Sequence, residues 1–540
     1  MAKIAFNSFK GSVPRMAPHL VSEQTAAVAV DCRFDHGTLQ SWREPRLMAA
    51  LLPSTRTVYD HECCTLEFDG CVDVVEGAAT CRRLYTTGDQ PWPAVMSLAE
   101  DCTMSIRRLG LPCIYDAPDM LPGAMNGAPE KNTEFRSYAY QYVDSFGNRS
   151  ALSLGSPVTE VRDGQTVLVS GFVLPSDPTW DVAHLRIYRT TSGYQTGLED
   201  ANVMDTVWMF VAEIPASAPS YVDNLLNESL ASALEEDEIR PPPADLLGLT
   251  AIASMNALAG FVGNTLHFSS PNNYHDWRDY LTLDDNIQGI TESNGVIYVM
   301  TDGRPYAVAA IGDCRTVACR SVLRFVEVLP AVGFGSRQIV PTTFGAVYVT
   351  HEGIVALQGK SPPKLLTSPL YAPDDFYKLV PRSLVLATHD GYLFAFGGLK
   401  SFVMKLHGVL NEGWDADTHS QLSDTDVSYA YVTRQGQFLL IKNHQLVEWN
   451  RGLVLRPHQW TSGEAVVSPP VPMAAGLIHL EQGWEHIVVK VDGRNVLDRD
   501  ILKTQEFSLP RWAKGQRWQI QLEGIATVKL VSLADSMRGF

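Results

Sequence analysis

Nowhere in its 540 residues does the chain hold an apolar run near the roughly 20 residues needed to cross a bilayer. Its start, Met-Ala-Lys-Ile-Ala-Phe-Asn, lacks the apolar core of a secretory signal. The expectation is therefore no membrane-spanning segment and no Sec-type export. Zinc-site spacing is also missing. None of the nine cysteines forms Cys-x-x-Cys, and both His61-Glu62-Cys63-Cys64 and His351-Glu352-Gly353 fail the His-Glu-x-x-His pattern. Six cysteines fall between Cys63 and Cys113, with Cys32 upstream and Cys314 and Cys319 downstream. Reduced, partly buried thiols are expected; disulfides or a metal within 63–113 are the alternatives.

The common catalytic signatures are missing as well. There is no Gly-x-Ser-x-Gly elbow, no Gly-x-x-x-x-Gly-Lys-Ser/Thr phosphate cradle and no Ser-x-Asp-x-Gly-x-Thr-Trp box of propeller glycosidases. The sequence thus predicts no enzyme, no cofactor and no bound metal. Basic residues are in the minority, 43 Lys plus Arg against 60 Asp plus Glu, giving a formal charge of −17. A strong nucleic-acid binder neutralises phosphates with basic faces, so that class is disfavoured, although acidity also serves solubility.

What is present is a series of short apolar strands separated by turns. Residues 258–308 show it best: a strand, the Gly263-Asn264 turn, a second strand ending at Ser269-Ser270-Pro271, an aromatic anchor at Trp277, then strands around Asp302-Gly303. Such patterning predicts an all-β architecture. A loose repeat centres on Gly260–Phe268, Gly295–Val308, Gly345–Gln358, Asp390–Gly397 and Gly436–Trp449. The spacing suits propeller blades of four strands, and strands around Cys64–Tyr85 offer a further blade from the N-terminal side. Four zones follow: 1–130, an N-terminal β zone contributing to the propeller-like platform; 131–240, an inserted fibronectin-like β-sandwich with an acidic, Pro-Pro-Pro linker; 241–468, the platform; and 469–540, a small C-terminal β-domain.

Few residues stand out as functional candidates. Asp284-Asp285 and Asp424-Thr425-Asp426 are carboxylate pairs that supply too few oxygens for calcium and fit turns. His389-Asp390 fits a hairpin turn. Trp277 and Trp449 are either core wedges or aromatic platforms for a sugar, and burial habits favour the core.

The wording of these segments resembles the tubular nozzle family of short-tailed phages, related to packaged-DNA stabilisation tail factors. The resemblance runs in order through Phe6–Gly11 with Pro14-Arg15, Ser137–Gly147, Leu185–Thr190, Phe210–Ile214, Tyr221–Asp223, Pro241–Leu249, the 258–308 run and Leu533–Met537, and it omits residues 59–125. It implies a virion tail protein made in the bacterial host cytoplasm. The subunit would form a homo-hexameric ring below a head-to-tail adaptor and contact tail fibres or spikes. It would also retain the packaged genome and pass it without sequence-specific binding. The alternative is a carbohydrate-binding β-propeller or a tail-associated receptor-binding protein.

Overall fold

Strand Gly345–Val349, Gly-Ala-Val-Tyr-Val, is buried at every position, and its two faces serve two different cores. Ala346 and Tyr348 pack with Tyr298 and Met300, whereas Val347 and Val349 pack with Leu386, Leu393 and Phe402. Successive side chains of a strand point to opposite faces, so a strand buried on both must be apolar throughout. Tyr392–Phe396 repeats the arrangement, with Leu393 and Ala395 on one side and Tyr392, Phe394 and Phe396 on the other. These are sheets stacked face to face, as in propeller blades.

The computed structural model describes residues 3–61, 64–77, 83–124, 133–162, 165–190, 207–230, 232–234, 238–309, 316–320, 338–359, 361–397, 399–406 and 418–536. They are built almost wholly of strands, with one short α-helix, Pro373–Tyr377. Among the described residues no helix is long and apolar enough to cross a membrane. The chain divides into two units, one holding Met1–Cys71, Asp285–Ala309 and Thr316–Phe540, the other Val72–Asp284.

The first unit contains four successive sets of four antiparallel strands, and the set that opens with Val385–His389 continues, through a parallel pairing of its last strand Ser420–Leu422 with Ala26–Val30, into a ten-stranded sheet. Three are continuous in sequence, opening with Ile287–Ser293, Ile339–Thr342 and Val385–His389. The fourth takes Val427–Val432, Phe438–Lys442 and Gln445–Glu448, and is completed by Arg46–Ala50 from the N-terminal side, in register Glu448↔Arg46. The four opening strands lie side by side in chain order. Closure of a C-terminal blade by an N-terminal strand is the expected device, but the closing strand is Arg46–Ala50. The 64–85 region divides: Cys64–Phe68 forms a two-stranded hairpin with Thr57–His61, whereas Asp73–Glu76 and Arg83–Thr87 enter a four-stranded sheet of the second unit.

The same unit holds a two-sheet domain woven from both ends of the chain. One sheet runs Cys32–Asp35, Thr38–Ser41, Thr527–Ala534, Ala475–Glu481, Gln505–Ser508, with Lys3–Phe6 also on Thr527–Ala534. The other includes Ala26–Val30, His458–Ser462, Lys514–Gly524, Glu485–Val491 and Arg494–Ile501. Phe6 and Phe9 meet Trp460 edge-on at 5.9 and 4.9 Å inside a core that includes Trp518, Ile487 and Val531. The domain expected over 469–540 alone thus needs residues 3–41 and 458–462 as well. A sheet cannot bury its inner face without partners, and here the partner strands come from the other end of the chain.

The second unit contains two four-stranded sheets, Asp73–Glu76 to Met104–Arg108 and Leu247–Ile252 to Asp279–Thr282, and an insert between them. The insert has two layers. Tyr138–Val143, His184–Thr190 and Trp208–Pro215 face Asp119–Pro122, Val167–Ser170 and Ser220–Asp223 across a core of Tyr138, Tyr140, Leu185, Ile187 and Val169. It therefore begins before residue 131, since Leu111 and Ile114 already belong to its core. The linker acids 235–237 lie outside the described residues.

The hairpin turns explain much of this local order. In His36-Gly37, Asn294-Gly295, Asp390-Gly391 and Asp492-Gly493 both central residues have positive φ, the left-handed geometry whose twist matches two-residue hairpins. The expectation of reduced thiols holds at Cys32, Cys71 and Cys113 and is corrected at Cys64 and at Cys102, each of which is held in a disulfide bond. Sequence spacing carries no information on which Cβ atoms the fold brings together.

Candidate functional site

The two carboxylate pairs have separate fates. Asp285 accepts the Arg304 backbone N–H at 3.0 Å and lies 3.4 Å from the Tyr306 hydroxyl, bracing a turn; Asp284 is exposed. Asp424, in contrast, is buried among charges. Its carboxylate receives Arg456 Nη1 at 2.5 Å and Lys442 Nζ at 2.5 Å, while Arg456 also reaches Asp31 at 3.4 Å and Glu44 at 3.1 Å. The guanidinium lies over the Trp449 ring, 5.3 Å from its centroid. Burial opposes the Arg456 charge, but Asp424 and Asp31 outweigh it and raise its pKa. This network ties the turn after Ala26–Val30 to the sheet of Val427–Glu448. Asp426 is its exposed neighbour, 3.8 Å from Lys442. Among the described residues no group of three or more His, Cys, Asp or Glu is arranged to hold a metal.

Both tryptophans are core wedges. Trp277 is 4% exposed and packs with Tyr85, Val95, Leu249 and Leu258, joining the two sheets of its unit, and its indole N–H donates to the Tyr274 carbonyl at 2.8 Å. Trp449 is 3% exposed and lies 5.9 Å from Trp42 and 5.6 Å from Phe394. Neither presents a face to a sugar. His389-Asp390 forms the expected turn, with Asp390 at φ 49°.

Three buried histidines were not singled out by the sequence. His419 bonds Ser12 Oγ and the Tyr371 hydroxyl, each at 2.9 Å, and burial pushes its pKa down to about 4. His275 sits between the Gly110 N–H at 3.3 Å and Asn148 at 2.9 Å, and burial lowers it to about 4 against the pull of Asp144. His458 bonds Ser41 Oγ at 2.9 Å and Glu485 Oε1 at 3.0 Å. These are the residue types of an acyl-transfer relay. Yet His458 and Glu485 are fully enclosed, and three strands meet there, so the set clamps the woven domain. Burial raises the Glu485 pKa despite its histidine partner.

A cavity of about 290 Å³ opens on the outer face of the insert, lined by Arg149, Arg186, Tyr188, Phe210, Ser232 and Ala233. Arg186 is held by Glu213 at 2.6 Å and lies over Phe210 at 5.8 Å. Two guanidinium groups beside aromatic rings suit a planar or carboxylate-bearing ligand. The signal was present in Leu185-Arg186-Ile187-Tyr188, whose alternation puts Leu185 and Ile187 in the core of the insert and turns Arg186 and Tyr188 to the cavity side, with Tyr188 itself buried there.

These arrangements decide the fold class. The chain is an all-β, propeller-like protein. No protein-family model and no curated protein matches it. Partly similar solved structures include the Pan2 WD40 domain of Neurospora crassa, at 11% identity and TM-score 0.28, over 72% of this chain and 91% of that one. The Cps50 (Swd1) β-propeller domain of Myceliophteria thermophila gives 11% and 0.27, over 50% and 82%. PorZ, a surface component of the type-IX secretion system of Porphyromonas gingivalis, gives 13% and 0.28, over 93% and 81%. At such identities and TM-scores these likenesses carry no argument about function, and the propeller-like assignment rests on the strand pairing itself.

Proposed function

We propose that this chain is a structural subunit of a short phage tail, of the nozzle type, which assembles as a ring, retains packaged DNA and serves as its conduit. The observation that carries the reading is where the family-like segments fall. Most of them fall on strands and turns of the architecture. Phe6 of the opening segment pairs with Val531, next to the closing segment, so both ends of the pattern build one domain. Ser137–Gly147, Leu185–Thr190, Phe210–Ile214 and Tyr221–Asp223 fall on the strands and turn of the insert. The 258–308 run spans strands from Ala257–Val262 to Tyr306–Ala309.

Two further points support it. The disulfide bonding of Cys64 and, separately, of Cys102 suits a particle that works outside a reducing cytoplasm. A formal charge of −17 opposes adhesion of DNA to a conduit wall. Carboxylates that face a lumen must be exposed, as Asp284 and Asp426 are and buried Asp424 is not. The test is electron microscopy and native mass of the purified chain, alone and with the adaptor. A closed ring with a channel wider than about 20 Å is expected; a chain that stays monomeric in both conditions defeats the reading.

A second reading, recognition of an acidic surface glycan, keeps one specific support, the arginine- and tyrosine-lined cavity of the insert. Saturation-transfer NMR with uronic and sialic acids tests it, and Arg186→Ala should abolish any transfer.

A further inference from the structure

The last strands of the blade-like sheets differ in how well they resist pairing. Ser361–Leu365 reads Ser-Pro-Pro-Lys-Leu, Asp279–Thr282 opens with an acid, and Met104–Arg108 ends in two arginines. Prolines and charges are what protect an open strand edge from another chain. Arg46–Ala50, Arg-Leu-Met-Ala-Ala, has a single charge and is exposed at four of its five positions. Among the described residues it pairs on one side only, with Gln445–Glu448. Leu47 is 59% exposed and Met48 and Leu52 are exposed as well.

A loop adds to this surface. Leu453 is 96% exposed and Val454 66%. Both are fixed beside the strand, because the Glu44 N–H donates to the Val454 carbonyl at 2.8 Å and the Gly452 N–H to the Glu44 carbonyl at 2.6 Å. Leu453 and Val454, held in water by these backbone bonds, add to the apolar surface near the strand, and exposed apolar patches of this kind mark interaction sites. Its rim carries Arg43, Arg46 and Arg451 against two carboxylates, Glu448, which pairs Arg46 and Arg451, and Glu44, which pairs with Arg456.

The opposite surface exists on the same chain. On the outer face of the woven domain His486 lies between Asp500, 2.8 Å away, and Asp498, 3.3 Å away, and Glu523 stands in register beside it. Leu502, exposed, follows at the end of the strand. We infer that the edge strand Arg46–Ala50 with Leu453 and Val454 docks a second copy of this chain, against its acidic face around Asp498 and Asp500. The occupant is chosen by charge complementarity, and the inference rests on the ring reading in taking that copy to belong to one closed assembly. A contact between two different patches is heterologous, the type that closes into rings.

Sedimentation and native mass of the full chain provide the test. Wild type should associate, and Leu453→Ser together with Leu47→Asp should shift it to monomer with unchanged circular dichroism. Leu453→Ser alone, at a fully exposed position that cannot upset folding, should weaken association. Arg43→Asp with Arg451→Asp should weaken it about tenfold or more, and adding Asp498→Arg with Asp500→Arg should recover most of that loss. A wild-type chain that remains monomeric at its highest soluble concentration, alone and with the adaptor, overturns both the inference and the ring. Variants that assemble like wild type overturn the inference and leave the ring standing. A charge swap without recovery overturns the acidic face as the partner.

Discussion

The run of strands that opens with Val385–His389 and the sheet that holds Lys3–Phe6 are both antiparallel, yet they are assembled in opposite ways. The first builds its three leading strands from residues 385–405, joined across Asp390-Gly391 and a second short turn. The second joins Lys3 to Ala534 and Leu39 to Val528. Local pairing needs little loop closure, whereas pairing the two ends of the chain must overcome the closure entropy of the whole. A blade-like sheet can therefore form as soon as its own residues are present. The woven domain forms only when both ends are.

The largest expected effect follows from cutting one of those ends. Deleting residues 3–35 removes strands from both layers of the woven domain. Hydrogen exchange should then show Glu485–Val491 losing protection while Gly345–Val349 keeps it. Equal loss in both would mean that the sheets depend on the woven domain for their own order.

Single substitutions sharpen the contrast. Arg456→Ala leaves Asp31 and Asp424 buried without their guanidinium and should cost about 3–5 kcal/mol. Trp277→Ala opens the wedge between two sheets of the other unit and should also cost about 3–5 kcal/mol. Chemical denaturation measures both, and an unchanged Trp277→Ala midpoint would mean that the ring is not a wedge.

Acid should probe the two units through one histidine in each. Both His275 and His419 are held near pKa 4 by burial, below the ordinary 6.5. Above pH 6.5 neither folded nor unfolded chain binds the proton, and the stabilising difference is fully present. Between about 6.5 and 4 only the unfolded chain binds it, so stability falls, by about 3 kcal/mol per histidine over the window. His419→Asn should flatten that slope for the first unit and His275→Asn for the second. A slope that neither variant changes would assign the acid sensitivity to carboxylates.

The smallest effect lies at a turn. His444 adopts φ 58° beside Asn443 at 49°, a left-handed geometry that strains any side chain. His444→Gly should stabilise by about 0.5–1 kcal/mol, read as a raised melting temperature; no gain would mean that the imidazole makes a compensating contact.

The cores of the blade-like sheets were legible because apolar strands and Gly- or Asn-containing turns recur at blade spacing, and Gly345–Gln358 needed nothing beyond its own residues. The insert was legible through alternation in Tyr138–Val143 and Leu185–Tyr188. Its first strand was not, since Asp119–Pro122 is four residues long and half exposed. Arg46–Ala50 escaped notice for a related reason: an edge strand exposed on both faces carries no period.

Composition and turn chemistry by themselves determined that this is an all-β protein of repeated small sheets, because two-residue turns and strand alternation are properties of neighbours in the chain. Only the tertiary structure decided that Asp424 is a buried ion-pair partner and Asp284 an exposed carboxylate. It alone decided that Trp277 and Trp449 are wedges, and that the two ends of the chain share one core. Burial and long-range pairing depend on which distant segments meet, and a local pattern holds no record of that.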